Sequence, residues 1–256
     1  MTPLVVTSRD NAWVKLLRQL AQETGAYRKL GKVWIEGDHL CRAALARGRL
    51  PQAVVYTPKA QAMVASWALP SQVKAVQLTD ALMQAVSGLE SPASVGFVMD
   101  LEPLQTLLPS TATVVLDRLQ DPGNAGSILR TAAAMGFGQV LAMKGSVGLW
   151  STKVVRSGMG AHFALHIVEG LDEAALSTLQ VPLLATSSHQ GDWVHLAKLP
   201  WPCAWVLGHE GQGVSAGLLA QAHCTVRIAQ PGGEESLNVA AAAAICLHAS
   251  AVSSGL

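Results

Sequence analysis

The stretch Ile228-Ala229-Gln230-Pro231-Gly232-Gly233-Glu234-Glu235-Ser236-Leu237-Asn238-Val239, continued by an Ala-rich run to Leu247, decides how this chain is read. Val226 and Ile228 form an extended apolar entry, Pro231-Gly232-Gly233 a turn, and a helix is predicted from near Ser236. Ser and Asn suit a helix start because their side-chain oxygens satisfy first-turn N–H groups that lack a partner. The run from Val239 to Leu247 is almost wholly small and apolar, so its helix must press closely against a neighbour. A polar loop feeding such a helix is either a site or a well-capped core element, and the rest of the chain decides which.

Upstream, Thr113 to Leu116 (Thr-Val-Val-Leu) has the pattern of a buried strand and runs into the polar turn 117–124. A helix is predicted from Ala125 to Met135, with Asn124 as its cap and Gly136 and Gly138 after it. Further strands are read at 139–143, 165–168, 183–186 and 204–207, with helical stretches at 172–179 and 218–222. Buried strands alternating with helices argue an α/β fold with a parallel sheet covered on both faces. Ligands of such sheets bind at the carboxyl ends of the strands. The loops 117–124, 208–213 and 229–236 all follow strands and would gather at that edge.

The first hundred residues read as a separate, small α/β domain. Trp13, Leu16, Leu17 and Leu20 recur at helical spacing within 9–30, with Lys15, Arg18 and Gln19 on the other face. Val33-Trp34-Ile35 reads as a strand, and Glu36-Gly37 turns into a helix carrying Leu40, Ala43, Ala44 and Leu45. Strands at 53–56 and 75–78 follow, with a helix between them and another after Thr79. The expected organisation is a domain over 1–99, a linker over 100–110 where two prolines interrupt any period, and a second domain over 111–256.

Composition bounds the rest. At 256 residues, half of them hydrophobic and with mean hydropathy +0.32, the chain can bury a sizeable core. It holds no run of eighteen apolar residues and no signal-like N-terminus, so neither a membrane span nor a secreted protein is expected. Cys41, Cys203, Cys224 and Cys246 lack CxxC spacing and read as buried or idle thiols of a cytoplasmic protein. The net charge of +1 conceals an asymmetry: residues 1–50 carry a local +5 and the remainder −4. The basic front end is either a solvated helix face or a polyanion-binding surface, the latter through Arg9, Lys15, Arg18, Arg28, Lys29 and Lys32.

Several residues carry chemistry. Gly208-His209-Glu210-Gly211-Gln212-Gly213 follows a buried strand, and its glycines let backbone approach a ligand, although it matches no phosphate-loop pattern. Glu210 is its lone carboxylate. Arg130 is the single charge on an otherwise apolar and small helix, about 120° around it from Asn124 on ideal geometry. It is either a solvent-facing residue or a guanidinium aimed at phosphate. His162 and His166 form HxxxH without the HExxH glutamate, which argues against a metal site. Lys153 and Arg156 could touch a polyanion or brace a loop.

Three segments together resemble the SpoU (TrmH-type) family of RNA 2′-O-ribose methyltransferases, within the SPOUT superfamily. They are Leu116-Asp117-Arg118-Leu119-Gln120-Asp121-Pro122-Gly123-Asn124-Ala125-Gly126-Ser127-Ile128-Leu129-Arg130-Thr131-Ala132, then Leu207 through Gly213, then Ile228 through Ala240. Lys153 through Ala161 is similar to the family's link between its first two motifs. Ser8-Arg9-Asp10-Asn11 and Ile35-Glu36-Gly37 resemble its auxiliary RNA-binding domain of ribosomal-protein-like fold. The resemblance implies a deep trefoil knot, and a homodimer formed through the C-terminal domain with active sites completed across the interface. It implies S-adenosylmethionine held by backbone groups around Leu207, Gly208, Ile228, Gln230, Ser236 and Leu237. It makes Arg130 the catalytic arginine, with Asn124, Glu210, Ser236 and Asn238 around it. RNA would be ribosomal in preference to transfer RNA and bound through the basic N-terminal residues and Arg156. The chain departs from the family at Ile228-Ala229-Gln230, where Ile-Pro-Met is usual and the proline is displaced to Pro231. Two rivals remain: a non-catalytic SPOUT-like RNA-binding or ribosome-assembly protein, and an ordinary Rossmann enzyme, which the lack of a glycine fingerprint after the first strand disfavours.

Overall fold

Successive residues of the central strands are buried without alternation, so each sheet has two apolar faces and needs helices on both. The computed structural model describes residues 2–102, 106–233, 236–253 and 255. It divides into two compact units, Met1–Pro103 with Trp150–Phe163, and Leu104–Leu149 with Ala164–Leu256.

The first unit runs β1 (Leu4–Val6), α1 (Ala12–Gln22), α2 (Ala26–Leu30), β2 (Lys32–Glu36), α3 (Asp38–Ala46), β3 (Ala53–Tyr56), α4 (Gln61–Ser66), β4 (Lys74–Leu78), α5 (Asp80–Val86) and β5 (Val95–Asp100). The sheet order is β1-β4-β3-β5-β2, with β5 antiparallel to both neighbours. Asn11 caps α1 by accepting from Trp13 N at 2.9 Å, and Thr79 caps α5 by accepting from Leu82 N at 3.2 Å. Trp34, Val55, Val76 and Val98 form one core with α1 and α5, and Val33, Ile35, Val54 and Phe97 form a second with α3 and α4. The sequence reading names neither β1, which is three residues long with Leu4 and Val5 exposed, nor β5, an uninterrupted apolar run without alternation.

The second unit opens with β6 (Thr113–Leu116), α6 (Pro122–Ala134) and β7 (Gln139–Met143). The chain then enters the first unit as α7 (Thr152–Ser157) and a short 3-10 turn at Ala161–Ala164. Val155 and Phe163 belong to the core beneath α3 and α4, Thr152 donates its hydroxyl to Ala21 O at 3.1 Å, and α7 packs on β2. Gly160, at φ 90°, lies so close to α3 that an added Cβ would come within 2.6 Å of Ala43 Cβ. Residues 150–163, read by chain order as part of 111–256, therefore fold with the N-terminal unit because their apolar side chains complete its core.

The second unit resumes as β8 (His166–Leu171), β9 (Leu183–Thr186), β10 (Asp192–Trp193), β11 (Ala204–Leu207), α8 (Ala216–Gln221), β12 (Cys224–Arg227) and α9 (Val239–Ser253). Its seven strands lie in the order β10-β12-β9-β11-β6-β7-β8 and every pair is parallel. Val115, Leu141, Ala185 and Val206 are side by side in this register and form one core face with Leu176 and Leu218. The opposite face carries Trp205, whose indole N–H donates to Ser250 Oγ of α9 at 2.8 Å. There α6 and α9 pack together, Ala125, Gly126, Ala132 and Ala243 being fully buried or nearly so. The expected close packing of the Ala-rich helix is this contact. Part of the expected linker is anchored: the buried Gln139 side chain accepts from Leu108 N at 2.7 Å and donates to Leu108 O at 3.1 Å. Residues 103–105 of that linker lie outside the described residues.

Candidate active site

The loops after β6 and β11 and the residue that opens α9 meet through one chain of hydrogen bonds. Its start is a cap. Asn238 Oδ1 accepts from Ala240 N at 2.9 Å and Ala241 N at 3.3 Å, and its carbonyl accepts from Ala242 N at 2.9 Å. Asn238 is thus the N-cap of α9, which begins at Val239 and not near Ser236 as expected. With its oxygen committed to two backbone donors, the amide must turn its nitrogen outward, and Nδ2 donates to Asn124 Oδ1 at 3.0 Å. This in turn fixes Asn124, whose Nδ2 donates to Glu210 Oε1 at 3.2 Å. Both amide orientations follow from the network.

Glu210 receives more than Asn124. Asp121 N donates to Oε1 at 2.9 Å and Gln120 N to Oε2 at 3.2 Å. Partial burial works to raise the Glu210 pKa, but the N–H groups of Asp121, Glu210 itself and Gln120, and the Asn124 amide, outweigh it, and the net shift is downward. Glu210 is therefore an ionised acceptor that fastens two loops. Among the described residues its partners are Gln120, Asp121 and Asn124, and Arg130 is not one of them.

The helix carrying Arg130 starts earlier than expected. Asp121 is the cap, its Oδ1 accepting from Asn124 N at 2.7 Å, and Pro122 occupies the first helical position, where no N–H is needed. Asn124 stands within the first turn and is not the cap. Gly123, Ser127, Arg130 and Ala134 form the exposed stripe of α6. Among the described residues the Arg130 side chain has no hydrogen-bond or ion-pair partner. Ser236 is exposed and outside the bonded cluster.

The residues expected to hold a cofactor fit one in a specific respect. Leu207 is fully buried and its carbonyl accepts from Asp117 N at 2.9 Å. Beyond it, Gly208, Ile228 and Leu237 make no backbone hydrogen bond among the described residues, although Gly208 is buried. Gln230 Oε1 is buried without a partner. Buried polar groups are nearly always paired, so the backbone of Gly208 and the Gln230 side-chain oxygen suit the hydrogen-bonding edge of a ligand such as S-adenosylmethionine, whereas Ile228 is half-buried and Leu237 exposed, and water can meet their groups. Gly208 admits no side chain: a Cβ there would lie 2.1 Å from the Gly213 carbonyl carbon. His209 Nδ1 accepts from Gly211 N at 3.0 Å and closes the hairpin between His209 and Gly213.

Sequence reasoning missed a second set of contacts beside this network. Asp117 is buried and pairs with Arg118, which also reaches Gln212 and Gly213. Asp117 and Arg118 lie within the first motif, but nothing in the sequence signals that Arg118 turns back across the neighbouring loop. The histidines separate: His162 lies against Trp150 in the first unit at 4.9 Å between rings, and His166 Nε2 meets Thr106 O at 2.7 Å in the second. Of the basic residues, Arg9, Lys15, Arg18, Arg28, Lys29 and Arg156 are exposed, whereas Lys32 is half-buried and paired with Asp100.

An all-parallel sheet with amide- and glycine-rich loops meeting beyond its strand ends defines an α/β ligand-binding protein of the doubly covered kind. The chain belongs to the SpoU rRNA methylase family, whose model matches residues 111–248, and an MRM3-like substrate binding domain matches residues 11–96. It is 31% identical over 252 residues to an uncharacterized tRNA/rRNA methyltransferase of Synechocystis, covering 95% of this chain and 92% of that one. It is 29% identical over 217 residues to the 23S rRNA (guanosine(2553)-2′-O)-methyltransferase RlmP of Bacillus subtilis, covering 84% and 86%. An AdoMet-bound rRNA methyltransferase from Sinorhizobium meliloti superimposes with a TM-score of 0.85 at 26% identity, covering 96% of this chain and 97% of that one.

Proposed function

We propose that this protein transfers a methyl group from S-adenosylmethionine to a ribose 2′-OH of ribosomal RNA. The observation that carries the reading is the convergence of Asn124, Glu210 and Asn238 in one hydrogen-bonded chain on the loop that opens with the buried, unpaired backbone of Gly208. When bound, the cofactor supplies an electrophilic methyl on a sulfonium. The harder requirement falls on the protein, because a ribose hydroxyl is a weak acid and a poor nucleophile. Arg130, a fixed cation on the exposed stripe of α6, holds the adjacent phosphate and stabilises negative charge developing on the 2′-oxygen. Asn124 and Glu210 keep the helix start and the 208–213 loop in register, and Asn238 ties both to α9. With the cofactor bound, the 2′-oxygen would take its methyl, the demethylated thioether would leave, and the hydroxyl proton would pass to solvent.

The N-terminal unit supplies the grip on RNA through Arg9, Lys15, Arg18, Arg28 and Lys29, with Arg156 brought to the same unit by α7. Lys32 contributes less because Asp100 already neutralises it. A homodimer through the C-terminal unit is supported by Ile245 and Val252 of α9, 40% and 56% exposed, and by the solvent-facing Arg130 awaiting a second side to its site. The family's trefoil knot and a cytoplasmic location belong to this same reading. The test is to map ribose methylation in ribosomal and transfer RNA from cells with and without the gene, and to repeat the transfer with purified protein. A missing 2′-O-methyl in ribosomal RNA, restored by wild type and not by Arg130→Ala, is expected. Arg130→Ala should bind the cofactor as wild type does while losing about a hundredfold or more in rate. Wild-type transfer by that variant would remove Arg130 from the chemistry.

A further inference from the structure

Arg118 stands at φ 57°, a left-handed conformation in which a Cβ crowds the backbone and which L-residues avoid. A large side chain keeps such a position where surrounding contacts over-determine it. Here they do. Nε donates to Asp117 Oδ1 at 3.0 Å, and one terminal nitrogen donates to Asp117 Oδ2 at 3.3 Å and reaches Gly213 O at 3.4 Å. The other terminal nitrogen donates to Gln212 Oε1 at 2.9 Å. Asp117, its side chain 3% exposed, also accepts from Ser215 N at 2.7 Å, and Ser215 Oγ donates to Glu173 Oε1 at 3.0 Å. One guanidinium and one buried carboxylate thus span the exit of β6 and the far side of the 208–213 loop. The same left-handed turn leads directly into the two N–H groups, of Gln120 and Asp121, that hold Glu210. Arginine suits this place because its planar fork serves four acceptor oxygens on three residues in fixed directions, which an ammonium cannot.

We propose that Arg118 is a positioning residue that latches the 208–213 loop onto the 117–121 loop and so keeps Glu210 seated beside Asn124. The inference rests on the methyl-transfer reading for its effect on rate, but not for its effect on the loop. Arg118 itself touches neither the 2′-oxygen nor the cofactor in this scheme.

The decisive variant is Arg118→Gly, because glycine accepts the left-handed backbone without strain while deleting the fork. In the full chain, hydrogen–deuterium exchange at the amides of Gly211, Gln212 and Gly213 should rise by about tenfold while the melting temperature is kept, since only a local opening is freed. In methyl transfer, kcat should fall by about tenfold to a hundredfold with KM for RNA changed less than about twofold, the signature of lost alignment. Arg118→Lys, which retains charge but not the fork, should recover part of the rate. If Arg118 served only to form the turn, glycine would preserve both exchange and kcat, and that result overturns the latch. Faster loop exchange in Arg118→Gly, found with a wild-type protein that methylates no RNA, would uphold the latch and refute the proposed function.

Discussion

Asn238 serves two structures at once, and substitutions separate them. Asn238→Ala removes the cap from Ala240 N and Ala241 N, which costs about 1 kcal/mol. It also removes the 3.0 Å bond to Asn124, worth about 0.5–1.5 kcal/mol. The combined loss of about 2 kcal/mol should lower the melting temperature of the C-terminal unit by about 4–8 °C. Asn238→Asp is the sharper test. Its carboxylate still caps α9 and gains about 0.3–1 kcal/mol from negative charge at the N-terminus of a 15-residue helix. Yet it presents an acceptor to Asn124 Oδ1, also an acceptor. If Asn124 rotates to donate to it, its own oxygen then faces the Glu210 carboxylate, so repulsion moves along the network and does not vanish. The Asp variant keeps the cap and its charge but loses the bond to Asn124, so it should melt between Asn238→Ala and wild type while transferring methyl groups about tenfold to a hundredfold more slowly. Calorimetry and transfer of labelled methyl to ribosomal RNA check the two halves. A fully active, fully stable Asp variant would show that the amide chain does not hold the site, and the reasoning would fail.

Two further outcomes follow from the same loops. Gly208→Ala must push its Cβ away from the Gly213 carbonyl carbon, 2.1 Å distant, at a cost of about 1–3 kcal/mol, and should weaken S-adenosylmethionine binding measured by calorimetry; unchanged affinity would remove Gly208 from the cofactor wall. Glu210 has a lowered pKa, so its stabilisation is present above its unfolded value of about 4.3 and is lost as pH falls through the lower folded one. Glu210→Gln should accordingly be less stable than wild type at neutral pH, with the gap closing below pH of about 4; a gap that stays constant with pH would mean the charge is not what the loops hold.

The strands were legible because parallel strands buried on both faces read as short apolar runs, and Thr-Val-Val-Leu and Ala-Trp-Val-Leu lie where expected, side by side. Helix starts were less so. Asp121-Pro122 outcompeted Asn124 as the opening of α6, and of the two caps expected at α9 Asn238 serves while Ser236 lies upstream of the helix, since the residue that caps is decided by where the backbone turns. The members of the site were visible through motif resemblance, but their partners were not. Pairing of Asn124 with Asn238 and of Arg118 with Gln212 spans 114 and 94 residues, and no local pattern encodes such a meeting. The sorting of 150–163 into the first unit was hidden for the same reason, because Val155 and Phe163 are equally apolar whichever core they enter.

That segment has a consequence for biosynthesis. A nascent chain that has emerged only through β5 has all five strands of its first sheet but lacks the side chains of Val155 and Phe163 beneath α3 and α4. N-terminal domains commonly fold before their successors are made, but here the first unit is not complete until β6, α6 and β7 have also been synthesised. The two units therefore mature in an interleaved order, and a break in translation between β5 and α7 leaves an unfinished first unit in place of a separate, serviceable one.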